Sequence, residues 1–118
     1  MRRGDVWWAN LPPPTGRRPV VLLSRNDAYQ LRRLVVATPV TTRVRGIPAE
    51  VRLGPEDGLP RLSVANLDTL MTIPMSALSD RIASLSSQKL QAIEAAIHYA
   101  LGLDTRSEER RVGKECRL

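Results

Sequence analysis

Apolar runs in this chain are short and are separated by proline and glycine clusters, so its first 85 residues can build strands but no long helix. Asp5 to Leu11 (DVWWANL) is rich in strand formers and predicts a first strand. Pro12-Pro13-Pro14-Thr15-Gly16 then breaks the chain into a loop. Arg18 to Ser24 (RPVVLLS) is a continuous apolar run of strand length, expected to be buried on both faces. Asn26 to Leu31 has room for one helical turn. Leu34 to Thr38 (LVVAT) predicts another buried strand, with Pro39 near its end, and Val40 to Pro48 a polar, basic loop. Glu50 to Leu53 alternates, as a strand with one wet face does. After a turn at Gly54 to Gly58, Leu62 to Ala65 and Thr69 to Ile73 read as two short strands broken around Asn66-Leu67-Asp68. Asp80 to Leu85 adds a last one.

The period changes only after Ser86, which predicts a helix N-cap. Leu90, Ile93, Ile97 and Leu101 then fall on one helical face, and Gly102 suits the residue just past a helix end. The expected fold is mainly β with a C-terminal helix: a small, curled antiparallel sheet or partly open barrel with the helix packed on it. One domain spanning residues 1–104 accounts for the whole pattern.

Residues 105–118 do not share that pattern. Arg106 to Cys116 (RSEERRVGKEC) coincides with the translation of a widely used short-read sequencing adapter, so this tail is expected to be non-native and disordered. It carries the chain's one cysteine, Cys116. Without it the domain has no thiol for a disulfide, a zinc site or nucleophilic catalysis. The tail also holds five of the 18 basic and three of the 12 acidic residues. The domain keeps 13 against nine, and the net charge falls from +6 to +4.

That charge is uneven. Residues 1–61 hold 11 arginines against five carboxylates, a net +6, and residues 62–105 hold two cations against four carboxylates, a net −2. A basic first half points to a polyanionic partner. No apolar run is long enough for a membrane helix, and no apolar leader follows Met1, so no membrane partner and a cytoplasmic location are expected.

Few side chains are suited to acid–base or metal chemistry. His98 is the only histidine and sits beside Ile97 on the helix, where a surface position is expected; a two-histidine ribonuclease mechanism is excluded. Metal-ligand spacings, a P-loop and a G-x-S-x-G elbow are all missing from the sequence, and neither a metal nor a cofactor is expected. Trp7 and Trp8 are adjacent in a strand and point to opposite faces. One is expected in the core and the other at a subunit interface or, less readily, as a platform for a stacked base.

Four segments in order resemble the MazF/PemK family of toxin endoribonucleases: RGDVWWANLPPP, GRRPVVLLS, VTTRVRGIPAEV, and SVANLDTLMTIP followed by a helix ending LGL. The resemblance covers about residues 2–103. It implies an SH3-like, partly open β-barrel related to the gyrase poison CcdB, a homodimer, and a labile MazE-like antitoxin whose C-terminal segment lies along the toxin. It also implies metal-independent cleavage of single-stranded RNA, by attack of the ribose 2′-OH on the adjacent phosphate. Carried over residue by residue, the family's catalytic arginine falls on Arg18 and its catalytic threonine on Thr41. Asp68 matches the aspartate of a PemK-branch Arg-x-Asp pair, but the arginine position is Asn66, a departure that weakens transfer of that branch's acid–base scheme. Arg17, Arg43, Arg45, Thr42 and Asn66 are the expected RNA contacts. The loop PPPTG is shorter than the Gly-Ser-Glu-rich insertion of many members, which changes one wall of the RNA groove. Two other functions suit such a chain: a CcdB-like gyrase-inhibiting binding protein, or a non-catalytic nucleic-acid-binding module.

Overall fold

A computed structural model describes residues 1–103. The expected tail at 105–118 lies outside the described residues. The strands are β1 (Asp5–Asn10), β2 (Arg17–Leu22), β3 (Leu34–Thr41), β4 (Glu50–Leu53), β5 (Ser63–Asn66), β6 (Met71–Pro74) and β7 (Leu78–Ser84). A single turn of helix, α1 (Ala28–Leu31), precedes β3, and α2 (Ser87–Ala100) closes the described chain. Short 3-10 turns lie at Pro55–Asp57, Leu67–Thr69 and Met75–Ala77.

All pairings are antiparallel, in the order β4-β5-β3-β2-β1-β7, with β6 on β3 as well. The sheet curls without a ladder joining its β4 and β7 ends, which is the partly open barrel expected. Packing brings those ends together instead. Gly58, at φ +93°, lies so close to β7 that a Cβ there would sit 2.7 Å from the Ala83 Cβ.

The continuous apolar run of β2 is explained by two cores. Val21 joins Val6, Val40, Val51, Leu53, Ala65 and Leu67 inside the barrel, beneath Ile93 and Ala96 of α2. Val20 and Leu22 point the other way, to Ala9, Tyr29, Val35, Ala37 and Ile73. A strand buried on both faces cannot alternate polar with apolar.

Pro39 does not end β3, which runs on to Thr41. On one edge β3 pairs with β6 from Leu34 to Ala37, then with β5 from Val40, so Thr38 and Pro39 fall between partners. Leu23 N–H donates to the Val36 carbonyl on the β2 side, so alternation turns the Pro39 backbone to this vacant stretch. The buried Thr38 hydroxyl bridges it by donating to the Asn66 carbonyl.

The C-terminal helix has the predicted ends. Ser86 Oγ accepts from Lys89 N–H at 3.2 Å. Gly102, at φ +70°, donates to the Tyr99 carbonyl while Leu103 N–H donates to the His98 carbonyl, a Schellman closure. Ile93 is buried and Leu90 and Ile97 are partly so, but Leu101 is exposed: it lies at the C-cap, past the barrel wall that the earlier turns cover. His98 is on the surface. Neither tryptophan is fully buried; Trp7 packs on the second core, and Trp8 lies under Arg17 at the barrel mouth.

Candidate active site

The last ladder pair between β2 and β3 is Val20–Pro39. Continuing that register sets Arg18 across from Thr41 on the same face, two residues beyond the point where the ladder stops. A groove of about 320 Å3 opens there, lined by Arg18, Pro39, Thr41, Arg43, Arg45, Asn66 and Thr69. Three arginines and no carboxylate line it, and none of the three forms an ion pair among the described residues. Cations left unneutralised in one groove make a site for an anion.

Arg18 is held from the β1–β2 hairpin, where one terminal N–H2 group donates to the Thr15 carbonyl at 3.3 Å. The loop is tight: Thr15 and Gly16 N–H both donate to the Pro12 carbonyl. The Arg18 Nε is buried without a partner, alone in this among the described side chains. An unpaired buried donor costs roughly 1–3 kcal/mol.

Thr41 ends β3, and its Oγ1 accepts from Arg43 N–H at 3.1 Å. The strand-end threonine therefore does bond the backbone, and that bond leaves its hydroxyl proton free to donate into the groove. Asn66 ends β5, and its Oδ1 accepts from Asp68 N–H at 2.9 Å, so its amide donors remain for the groove. Arg43 and Arg45 come from the loop after Thr41. The Glu50 carboxylate accepts from Arg45 N–H at 3.1 Å and from Gly46 N–H at 2.9 Å, and so ties that loop to β4.

Of the expected residues, Arg18, Thr41, Arg43, Arg45 and Asn66 meet in the groove, and Asp68, Arg17 and Thr42 lie outside its lining. Asp68 sits exposed on the 3-10 turn that Asn66 caps by accepting from its N–H, and of that turn only Thr69 reaches the groove. Strand alternation sends Arg17 and Thr42 to the opposite face from Arg18 and Thr41. Arg17 stacks over the Trp8 ring at 4.7 Å and pairs with Asp80 at 3.8 Å. Thr42 lines the barrel mouth with Trp8, Pro19 and Leu59. Thr69, Pro39 and the loop-binding Glu50 were not among the expected residues. Pro39 shares the odd-numbered face of β3 with Thr41, the one local signal that pointed to it. Among the described residues no group of three His, Cys, Asp or Glu side chains converges to hold a metal ion, and no helix is long and apolar enough to cross a membrane.

A family model described as PemK-like, MazF-like toxin of type II toxin–antitoxin system matches residues 2–101. The probable endoribonuclease MazF5 of Mycobacterium tuberculosis is 43% identical over 101 residues, 84% of this chain and 91% of that protein. Among solved structures, the M. tuberculosis toxin MazF-mt6 superposes with a TM-score of 0.79 at 33% identity, covering 85% of this chain and 98% of that one. A mycobacterial endoribonuclease in complex with its cognate antitoxin superposes with a TM-score of 0.77 at 31% identity, over 87% and 96%. With the match running through nearly all of the domain and through every strand that builds the groove, the chain belongs to the PemK-like, MazF-like toxins of type II toxin–antitoxin systems.

Proposed function

We propose that this toxin is a sequence-selective, metal-independent endoribonuclease that cuts single-stranded RNA. The 2′-OH beside the scissile phosphate attacks phosphorus, the bond to the 5′-oxygen breaks, and the products carry a 2′,3′-cyclic phosphate and a 5′-OH. The observation that carries this reading is the convergence of Arg18, Arg43 and Arg45 on Thr41 in a groove without carboxylates. Arg18 grips two phosphate oxygens and stabilises the added negative charge of the pentacoordinate transition state. Remaining protonated, it does not serve as the base. Thr41 donates its hydroxyl proton to a phosphate oxygen or orients the attacking 2′-OH. Arg43, Arg45 and the Asn66 amide hold the RNA backbone.

The chain's relatives include an endoribonuclease solved with its cognate antitoxin. By the same logic this toxin is held inactive by an acidic, MazE-like antitoxin segment that competes with RNA for the basic groove. It works as a homodimer, through the partly exposed apolar margin of the second core at Trp7, Leu11, Met71, Met75 and Leu78.

Cleavage of a diverse single-stranded RNA pool in EDTA tests the reading, with wild type beside Arg18→Ala. Wild type is expected to cut, and Arg18→Ala to lower kcat by about 10²- to 10³-fold, the usual loss on removing one transition-state donor. Failure of the wild type to cut any RNA would sink the enzymatic reading, and RNA binding without cutting would mark a nucleic-acid-binding module. Abolition of cutting by EDTA would refute the metal-independent chemistry.

A further inference from the structure

We infer that Glu50 is a positioning residue: its carboxylate shapes the loop that delivers Arg43 and Arg45 to the RNA backbone. The inference rests on the reading of the groove as an RNA site.

The loop from Thr42 to Ala49 contains no regular secondary structure. Its start is held by Arg43 N–H on Thr41 Oγ1. Its far end is held by Glu50 N–H on the Ile47 carbonyl and Leu67 N–H on the Ala49 carbonyl. The middle is held by Glu50 alone among the described side chains. Both carboxylate oxygens lie 3.1 Å from Arg45 N, and one lies 2.9 Å from Gly46 N. Gly46 has φ +74°, so its backbone turns left-handed and two successive N–H groups converge. Such a pair is a nest for an anion, and here the anion is the chain's own.

Glu50 itself is well placed to hold it. It is the first residue of β4 and pairs with Asn66, a groove residue at the end of β5. The sheet therefore anchors Glu50, and its carboxylate fixes the backbone on both sides of Arg45. A carboxylate this near would repel phosphate if it faced the groove, but Glu50 is not among the groove-lining residues and lines a separate cavity with Val44, Ile47 and Val64. Its effect on RNA passes through the arginines it presents. An ordered loop spares binding the entropy of arranging two long cationic side chains.

The test uses the full chain, with Glu50→Gln and Glu50→Ala made in wild type and in an Arg43→Ala/Arg45→Ala background. With RNA cleavage as readout, each Glu50 substitution is expected to raise KM about five- to tenfold with kcat within about twofold, a loss of binding rather than of chemistry. The slope of log KM against log salt should become shallower by about one, the signature of a lost phosphate contact. In the Arg43/Arg45 double background the same substitutions should add nothing. A KM that is unchanged or lower, a fall in kcat at constant KM, or an undiminished effect in the double background would each overturn the proposal. The last also exposes a variant that fails merely by misfolding. A wild type that cuts no RNA refutes the function reading before any Glu50 variant is compared, so the two failures are distinct.

Discussion

At the scale of single residues, placement follows from parity. Arg17 and Arg18 are neighbours, as are Thr41 and Thr42, yet β-alternation puts one of each pair in the groove and the other on the opposite face. The hydroxyl of Thr41 accepts from Arg43 N–H and leaves its proton free to donate into the groove. Thr41→Ser keeps both functions and Thr41→Val neither. Serine should keep kcat within about tenfold and valine should lose about a hundredfold, the scale of one transition-state hydrogen bond, read in the RNA cleavage assay. Tyr29 carries a separate prediction. Burial, reinforced by the nearby Asp5 carboxylate, pushes its hydroxyl up to about 12. An unfolded chain's tyrosine ionises near pH 10, so above that pH the unfolded state sheds a proton that the folded state keeps. The contribution is intact below about pH 10 and is lost as pH rises through about 12, by at most about 1.4 kcal/mol per pH unit. Denaturant titrations at rising pH should show this alkaline loss in wild type and a flatter profile in Tyr29→Phe.

At the scale of elements, the helix was legible because its signals are local: a serine cap, a 3.6-residue period and a terminal glycine. Ser86→Ala should lower stability by about 1 kcal/mol, measured by denaturant unfolding, because Lys89 N–H loses its acceptor. The strands were legible as elements but not in their ends. Pro39 reads locally as a strand end, yet β3 exchanges β6 for β5 at that residue and the missing N–H faces neither. Leu101 continues the apolar period beyond the surface available to cover it. Closure of the barrel is likewise a matter of element packing. Gly58→Ala combines a left-handed backbone with a Cβ 2.7 Å from Ala83, and should cost about 2–4 kcal/mol. Gly16, at φ +68° with open space around it, is the control; Gly16→Ala should cost only about 1 kcal/mol.

At the scale of the whole molecule, the groove lies at the margin of the second core, and part of that core's apolar surface is uncovered. The dimer reading predicts a dimeric mass by light scattering at micromolar concentration, and Met71→Glu should shift it toward the monomer by burying an unpaired charge in the interface. A wild-type monomer would refute that reading. The sequence by itself determined the fold class, the helix and its ends, and the concentration of arginine in the first 61 residues, because period, caps and composition are properties of neighbours along the chain. Resemblance also picked out Arg18 and Thr41. Only the tertiary structure decided that these two face each other where a ladder stops, that Arg17, Thr42 and Asp68 stay out of their groove, and that Glu50 holds the arginine loop. Those facts depend on register and on strand exchange between distant segments, such as Leu34 with Pro74, and register is set by the packing of both cores together, which no local stretch of sequence encodes.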